Sequence, residues 1–484
     1  MGNILNVKFV YQNWHDGYPI TNGLNAAALK EVIRRWEEPS CNAQSPNDLA
    51  HEACHAVGLN FPYHLKSQWW KQAGIEEVRV QDIDPQSDTI WIYPNNIMRD
   101  FGGVVSDSYD FFSVLSPELL AFMRSGTVKI LFDNSHDPTV NQAHCGQKSI
   151  SYKFELNGIN PNNVLFIAGD TDSAVETTKH LKMKIIPLGK FYPWCAANTF
   201  VEASKDSIID PIGLKSEYVT AADLDSSKIR KHKFLSFNRS LRPHRLWLLC
   251  KSIEQNWLKD NLFSFLSMAG GREVAQDILL NINSDYDIAS KIPNSGLKNI
   301  IDRDSMPWLP PIAKFSQKVV DEAKKIIPLE LDTQSVPRDN LGGFSTSSCN
   351  NKQFYSESYF NITTETGLDY MFLSEKTFRP IQNLQPFIFI GPAGALKYLK
   401  TQGFKTFDSV IDESYDLEAD PSIRLTMIAE QINKINNMDM QTVHDMYYSL
   451  TDILIHNQQH LLTFCGDSPY IESMEYIKGI YSGN

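Results

Sequence analysis

The stretch that decides the fold lies at residues 359–391, which read YFNITTETGLDYMFLSEKTFRPIQNLQPFIFIG. Two apolar, β-rich runs at 359–363 and 386–390 flank a segment with helical character near 374–383. A strand, a helix and a second strand in this order predict a β-α-β unit with parallel strands. The strands have to be buried on both faces, because the connecting helices cover the sheet.

The same alternation extends outward over most of the chain. Further strands are predicted at 7–11, 89–93, 128–132, 164–168, 184–187, 233–237 and 262–266, and helices at 26–36, 117–124, 173–180, 243–257 and 395–402. The last 60 or so residues, from Pro421, have a helical pattern. We therefore predict an α/β protein with two Rossmann-like domains facing across a cleft, over residues 1–215 and 233–484, with a polar connector at 216–232 and C-terminal helices.

Composition narrows the class of protein. Hydrophobic residues make up 42% of the 484 residues, enough for a core and too many for a disordered chain. The net charge of −12 makes a nucleic-acid backbone an unlikely default partner. Seven cysteines without a Cys-x-x-Cys pair, and the absence of any long apolar run, predict a cytoplasmic protein with reduced thiols and no membrane span.

The segment from Glu365 to Lys376 carries the strongest functional signal. Ser374 is a plausible N-cap for the following helix, whose N-terminus has a partial positive charge. Lys376 adds a full positive charge there, and Glu375 offers a carboxylate to ribose hydroxyls. The pattern predicts a site for the phosphates and ribose of a nucleotide.

A second cationic stretch follows the predicted strand at 233–237. It contains Asn238, Arg239, Arg242, His244 and Arg245 in a loop and the first turn of a helix. Guanidinium groups stabilise the negative charge of phosphate groups. The stretch therefore offers a second place for the phosphates of a nucleotide.

Residues 359–391 resemble the donor-nucleotide signature of α1,3-fucosyltransferases and of the more distant exostosin-type enzymes, which are GT-B glycosyltransferases. In that signature two glutamates stand ten residues apart, as Glu365 and Glu375 do here. The departures are Thr364 for Phe, Thr366 for Asn, Ser374 for Thr, and Asp369-Tyr370 two residues early. About 30 residues match well and the remaining C-terminal domain matches loosely. The segment, with the later stretch 403–416, is also similar to phage- and bacterium-encoded glycosyltransferase-like proteins.

The resemblance implies a glycosyltransferase that takes a sugar from a nucleotide-diphosphate sugar and adds it to an acceptor hydroxyl with inversion. The donor would bind the C-terminal domain through a set of six residues, which are Arg245, Arg239, Asn238, Glu365, Glu375 and Lys376. Arg245, with Arg239 as the second choice, would contact the diphosphate, and Glu365 would orient the sugar or the loop. Phosphate charge would be offset by arginine, lysine and the helix N-terminus, without a metal or another cofactor. The acceptor, a glycan or another hydroxyl compound, would bind the N-terminal domain.

A catalytic base has to come from the acceptor side. Asp133, His136 and Asp137 follow the predicted strand at 128–132, and a histidine beside acids can be tuned toward neutral pH. We expect the base to be among these three residues, although Asp170, Asp172, Asp107 and Asp110 also follow strands or glycine turns.

Two alternatives of other classes remain open. One is a nucleotide-sugar-binding module without catalysis. The other is a zinc metallopeptidase, because His51, Glu52 and His55 have the spacing of a zinc-binding helix. Position 61, where a third histidine would be expected, holds Phe61.

Overall fold

The computed structural model describes residues 6–11, 73–96, 112, 115–135, 150–169, 182–204, 218–238, 243–265, 315–327, 329, 331, 352–368 and 370–482. The strands are β1 Asn6–Tyr11, β2 Glu76–Arg79, β3 Thr89–Asn96, β4 Val128–Asn134, β5 Val164–Ala168, β6 Lys184–Pro187, β7 His232–Asn238, β8 Leu262–Phe265, β9 Ser358–Thr364 and β10 Phe387–Ile390. The α-helices are α1 Pro117–Ser125, α2 Ile150–Leu156, α3 Phe191–Ser204, α4 Pro243–Glu254, α5 Gln317–Ile326, α6 Lys352–Glu357, α7 Glu375–Gln382, α8 Ala395–Thr401, α9 Pro421–Asn436, α10 Met440–Ser449, α11 Thr451–Leu462 and α12 Tyr470–Ser482.

The chain divides into two compact units. The first contains Met1–Phe191 together with Asp467–Asn484, and the second contains Tyr192–Gly466. The sequence placed a domain boundary at 215, a connector at 216–232 and the last helix in the C-terminal domain. In the structure Ala197 and Val219 join the core of the second unit, while α12 belongs to the first.

The first unit is built on six parallel strands in the order β2-β1-β3-β4-β5-β6. All five residues of β5 are buried, which requires cover on both faces of the sheet. On one face Val128, Ile130 and Phe132 pack in a core with residues of α1 and α2. Alternation along β4 directs Lys129 to the other face, where its ammonium group meets the ring of Tyr481 on α12.

Local sequence explains why the helices begin and end where they do. Ser116 caps α1 by accepting from the backbone N–H of Leu119, and Pro117 occupies the first helical position. Gly126 ends α1 with φ +78°, a left-handed conformation that glycine adopts without strain. Asp420 and Pro421 repeat this start at α9.

The second unit contains four parallel strands in the order β10-β9-β7-β8. Every residue of β9 and β10 is buried, since helices cover both faces. The helices that follow residue 421 are α9, α10, α11 and α12, and the first three contribute to one core with the strands, including Ile428, Val443 and Leu454.

Most predicted elements in the described residues are confirmed, with ends that differ by at most three residues. The predicted α/β class with parallel sheets is confirmed as well. The elements that were not predicted are β2, α2, α3, α5 and α6. In β2 the charged residues Glu76, Glu77 and Arg79 interrupt the apolar pattern. The predicted helices at 26–36 and 173–180 lie outside the described residues. Among the residues described, no helix combines the length and apolar character needed to cross a membrane.

Candidate functional site

The candidate site lies at the carboxyl edge of the second unit's sheet, where β7 and β9 end side by side. Open parallel sheets bind ligands at this edge. The last residues of the two strands are joined, because the Thr364 hydroxyl donates to Asn238 Oδ1 at 2.7 Å. Asn238 also donates from Nδ2 to the Ser236 hydroxyl at 3.1 Å and is buried. Asn238 therefore ties two strand ends together from inside the unit.

Glu365, the first residue after β9, anchors the N-terminus of α7. One carboxylate oxygen accepts from the backbone N–H of Ser374 at 2.9 Å and from the Thr377 hydroxyl at 2.5 Å. The other accepts from the Ser374 hydroxyl at 2.7 Å and from the N–H of Thr366 at 3.2 Å. A negative charge at a helix N-terminus also interacts favourably with the helix dipole.

The carboxylate of Glu365 is enclosed by its hydrogen-bond donors. The side chain is 0% exposed, and four donors use its two oxygens. These contacts orient the loop that follows β9, and the side chain is shielded from solvent. The sequence offered no signal for Thr377 as one of the donors.

Two side chains from the first turn of α4, those of Arg245 and His244, also bind the end of β9 and Glu365. Arg245 donates from Nε to the Thr364 hydroxyl and from Nη2 to the carbonyl oxygens of Thr364 and Glu365, each at 3.2 Å. His244 donates from Nε2 to the carbonyl oxygen of Glu365 at 2.8 Å. Arg245 is only 2% exposed, so its charge lies directly behind the loop.

Lys376 and Glu375 open α7 and reach solvent. The Lys376 ammonium group donates to Glu375 Oε1 at 2.7 Å and to the Ser374 hydroxyl at 3.1 Å. The side chains of Lys376 and Glu375 are 26% and 29% exposed. These are the two predicted site residues, among those described, that a bound molecule can contact without rearranging the core of the unit.

The charge state of Glu375 follows from its surroundings. Burial disfavours its charged form, but the positive charges of Lys376 and Arg379 and the hydrogen bond from Lys376 outweigh that effect and lower the pKa of Glu375 to about 2. Glu375 is therefore a carboxylate throughout the physiological range. It can accept hydrogen bonds from hydroxyl groups but cannot act as a general acid near neutral pH.

The loop between Glu365 and Ser374 is also held from α9. Arg424 is buried and donates from Nη2 to the carbonyl oxygen of Leu368 at 2.7 Å. Gly367 lies against the ring of Tyr370, and a Cβ atom at Gly367 would come within 2.3 Å of that ring. Contacts from α4, α7 and α9 thus converge on one short loop and fix its path.

The stretch 403–416 supports the neighbouring β10 and α8. The Asp416 carboxylate accepts from the backbone N–H groups of Leu396 and Lys397 at 2.9 and 3.0 Å. It therefore occupies the N-terminus of α8, the turn that Gly391–Gly394 leads into. Glu413, whose pKa is raised by burial although hydrogen bonds from Thr406 and Phe407 oppose the rise, ties the chain back to residue 406.

The predicted catalytic residues lie in the first unit. Asp133 is the penultimate residue of β4; it is buried and accepts from the backbone N–H of Ser135 at 3.1 Å. Ser135 in turn shares a hydrogen bond of 2.9 Å with the Tyr470 hydroxyl of α12. His136 and Asp137 lie outside the described residues, as does Arg239 from the phosphate-binding prediction.

The metal-binding alternatives fall largely outside the described residues. This applies to His51, Glu52 and His55 of the zinc-helix pattern. The further candidates for the catalytic base, Asp107, Asp110, Asp170 and Asp172, also lie outside the described residues. Within the ranges described, no three histidine, cysteine, aspartate or glutamate side chains are grouped to hold a metal ion.

A cavity of about 240 Å³ opens elsewhere in the second unit, between α4 and α9. It is lined by Phe315, Trp247, Lys251, Glu254, Thr426, Ala429, Glu430 and Asn433. The loop after β9 contributes no residue to it. The candidate site is therefore defined by its converging side chains and not by this cavity.

Sequence reasoning missed Arg424, which binds the loop after β9, and Asp416, which caps the neighbouring α8. A buried arginine or aspartate in a helix or turn has the same local pattern as a solvated one, since only the fold supplies the carbonyl or N–H groups that satisfy it.

Comparison with protein-family models, with curated proteins and with solved structures finds no significant match to this chain.

Proposed function

We propose that this protein is a glycosyltransferase that takes its sugar from a nucleotide-diphosphate donor bound at the carboxyl edge of the second unit's sheet. One observation carries the proposal. The two cationic stretches, at 243–245 and 374–376, meet on Glu365: Arg245 donates to its carbonyl oxygen at 3.2 Å, and Ser374, which accepts from Lys376, donates to its carboxylate at 2.7 Å.

In this proposal the exposed groups at the start of α7 contact the donor. Lys376 offsets the charge of the diphosphate, together with the partial positive charge of the helix N-terminus. Glu375, already ionised, accepts from the ribose hydroxyls. Arg245 contributes its buried positive charge from behind the loop, and Arg239 is proposed as a second phosphate ligand.

Binding the diphosphate also serves the chemistry. As the glycosidic bond breaks, the leaving diphosphate gains negative charge, and fixed cationic groups stabilise it more than they stabilise the bound donor. The reaction is proposed to need no metal, since the protein's own cations supply this stabilisation. Displacement with inversion requires a base, for which Asp133, His136 and Asp137 of the first unit are the candidates.

The finer architecture is part of the same proposal. It is a GT-B arrangement, with two Rossmann-like domains facing across a cleft, a donor bound by the second and an acceptor hydroxyl, on a glycan or another compound, bound by the first. The reaction is expected in the cytoplasm, and the net charge of −12 disfavours nucleic acid as a partner without excluding it.

Calorimetric titration of the full chain with GDP-, UDP- and CDP-sugars, with and without EDTA, tests the proposal. We expect one nucleotide class to bind with unchanged affinity in EDTA and to release nucleoside diphosphate when acceptors are added. Binding without turnover on any acceptor favours the non-catalytic module. Proteolysis that EDTA abolishes favours the peptidase, and the lack of binding to every nucleotide contradicts the proposal.

A further inference from the structure

Two lysines of the first unit face one tyrosine ring. Lys184, the first residue of β6, places its ammonium nitrogen 4.4 Å from the centroid of the Tyr481 ring. Lys129, near the start of β4, places its own 5.3 Å from the same centroid. Strand β5 separates the two strands, so both lysines project from one face of the sheet at its amino edge, and α12 brings Tyr481 to them.

No acidic side chain balances these two charges within the described part of the chain. Lys129 donates to the carbonyl oxygen of Gly126 and to Asn163 Oδ1 at 3.0 Å, both of which are neutral acceptors. Lys184 has no hydrogen-bond acceptor and no ion pair among the described residues. The nearby Lys182, by contrast, pairs with Glu155 at 3.2 Å on the surface.

This arrangement disfavours the charged forms of both lysines. Burial, and then the charge of Lys184, lower the pKa of Lys129, and burial lowers the pKa of Lys184. The ring of Tyr481 attracts the ammonium groups, but a cation–π contact offsets only part of a full charge. The Tyr481 hydroxyl itself is buried without a hydrogen-bond partner among the described residues, so the polar groups of this cluster are incompletely satisfied by the protein.

We infer that Lys129, Lys184 and Tyr481 form a binding site for an oxyanion, carried by a phosphate or carboxylate compound, at the amino edge of the first unit's sheet. The two ammonium groups supply charge-assisted hydrogen bonds from two directions, as lysines do in phosphate sites. Lys184 retains all three of its donors for this purpose, and Lys129 retains one. The site shares no residue with the donor site proposed above and does not depend on it.

The chemistry favours an oxyanion over a simple halide. Ammonium donors that come from two strands match a ligand with several acceptor oxygens. Phosphate and carboxylate both meet this requirement, so the experiment includes a probe for each.

Selective ¹³Cε labelling of the lysines of the full chain, which leaves every ammonium donor in place, followed by NMR titration, tests the inference. Orthophosphate, acetate and chloride are added separately at constant ionic strength. We expect orthophosphate or acetate to shift the Lys184 and Lys129 resonances saturably and to raise the pKa of both lysines, because a bound anion favours their charged forms. Chloride at the same ionic strength should leave both unchanged.

Variants of the full chain assign the effect. Lys184→Gln should weaken the binding of the effective anion at least about tenfold, as expected for the loss of one charge-assisted contact. Lys182→Gln, which removes a surface charge two residues away, should bind as the parent does. Retained affinity in Lys184→Gln, or an equal response to chloride, overturns the inference. If Lys184→Gln does not fold, a titration of the parent chain in which neither lysine pKa rises overturns it as well.

Discussion

Ser374 binds both carboxylate oxygens of Glu365, one through its backbone N–H at 2.9 Å and the other through its hydroxyl at 2.7 Å. The N-cap residue of α7 is thereby fastened to the residue that follows β9. The loop between them is closed at its two ends, and Lys376 and Glu375 are held at a defined place on the edge of the sheet. A buried carboxylate thus positions two exposed charges.

Replacing Glu365 with glutamine should destabilise the protein. Glutamine has nearly the same shape, but its amide NH₂ group replaces one carboxylate oxygen and cannot accept a hydrogen bond. The buried donors that this oxygen now satisfies therefore lose their acceptor, and we expect a loss of about 1–3 kcal/mol in the free energy of unfolding of the second unit. Urea denaturation measures this loss. Glu430→Gln, at an exposed residue of α9 in the same unit, is the control and should change stability by less than about 0.5 kcal/mol; equal effects in both variants would contradict the anchoring role.

Lys376→Ala should weaken nucleotide-sugar binding without a comparable loss of stability. In the proposed site the lost contact is a charge-assisted hydrogen bond to phosphate, which would contribute about 1.5–3 kcal/mol. Calorimetry measures the change, with whichever of the GDP-, UDP- and CDP-sugars binds the parent protein. Lys400→Ala is matched as a lysine of the same unit that is ion-paired at 2.8 Å, and its affinity should equal that of the parent. Unchanged affinity in Lys376→Ala would remove the main support for the donor site.

The ion pair of Glu375 should make a pH-dependent contribution to stability. Because the pKa of Glu375 falls to about 2 in the folded protein, below its ordinary value, its stabilisation is fully present above about pH 5 and is lost as the pH falls toward 2. The pair is partly exposed, so we expect roughly 1 kcal/mol. Denaturation of the parent and of Glu375→Gln between pH 3 and 7 should show curves that converge at low pH. A constant difference over that range would show that Glu375 does not titrate as described.

Asp416→Asn should weaken α8. Asparagine keeps an oxygen that accepts from one of the two N–H groups at the helix N-terminus but loses the charge that favours this position. We expect about 0.5–1 kcal/mol for asparagine and about 2 kcal/mol for alanine, measured by urea denaturation. Asp412→Asn, at an exposed turn residue nearby that also accepts from a backbone N–H, is the control for a general effect of removing charge. If Asp416 caps the helix, stability should increase from the alanine variant to the asparagine variant to the parent. Any other order would contradict the capping role.

The order and type of elements were largely predictable because they depend on local patterns. Short runs that contain only apolar residues, such as 164–168, indicate buried strands. Ser116, Ser374 and Asp420 occupy the N-cap positions of the helices that follow them. Strand β2 was not predicted because it is an edge strand with charged residues, which interrupt the apolar pattern by which strands are recognised.

The sequence by itself determined the parallel α/β class, the β-α-β unit around residues 358–390 and the presence of cationic residues after two strand ends, because all of these follow from periodicity and capping along a short stretch of chain. Only the tertiary structure decided that Glu365 and Arg245 face inward while Lys376 and Glu375 face outward, and that α12 returns to the first unit. Burial and hydrogen-bond partners depend on residues 100 or more positions apart, such as Arg245 and Glu365, and no local pattern encodes that proximity.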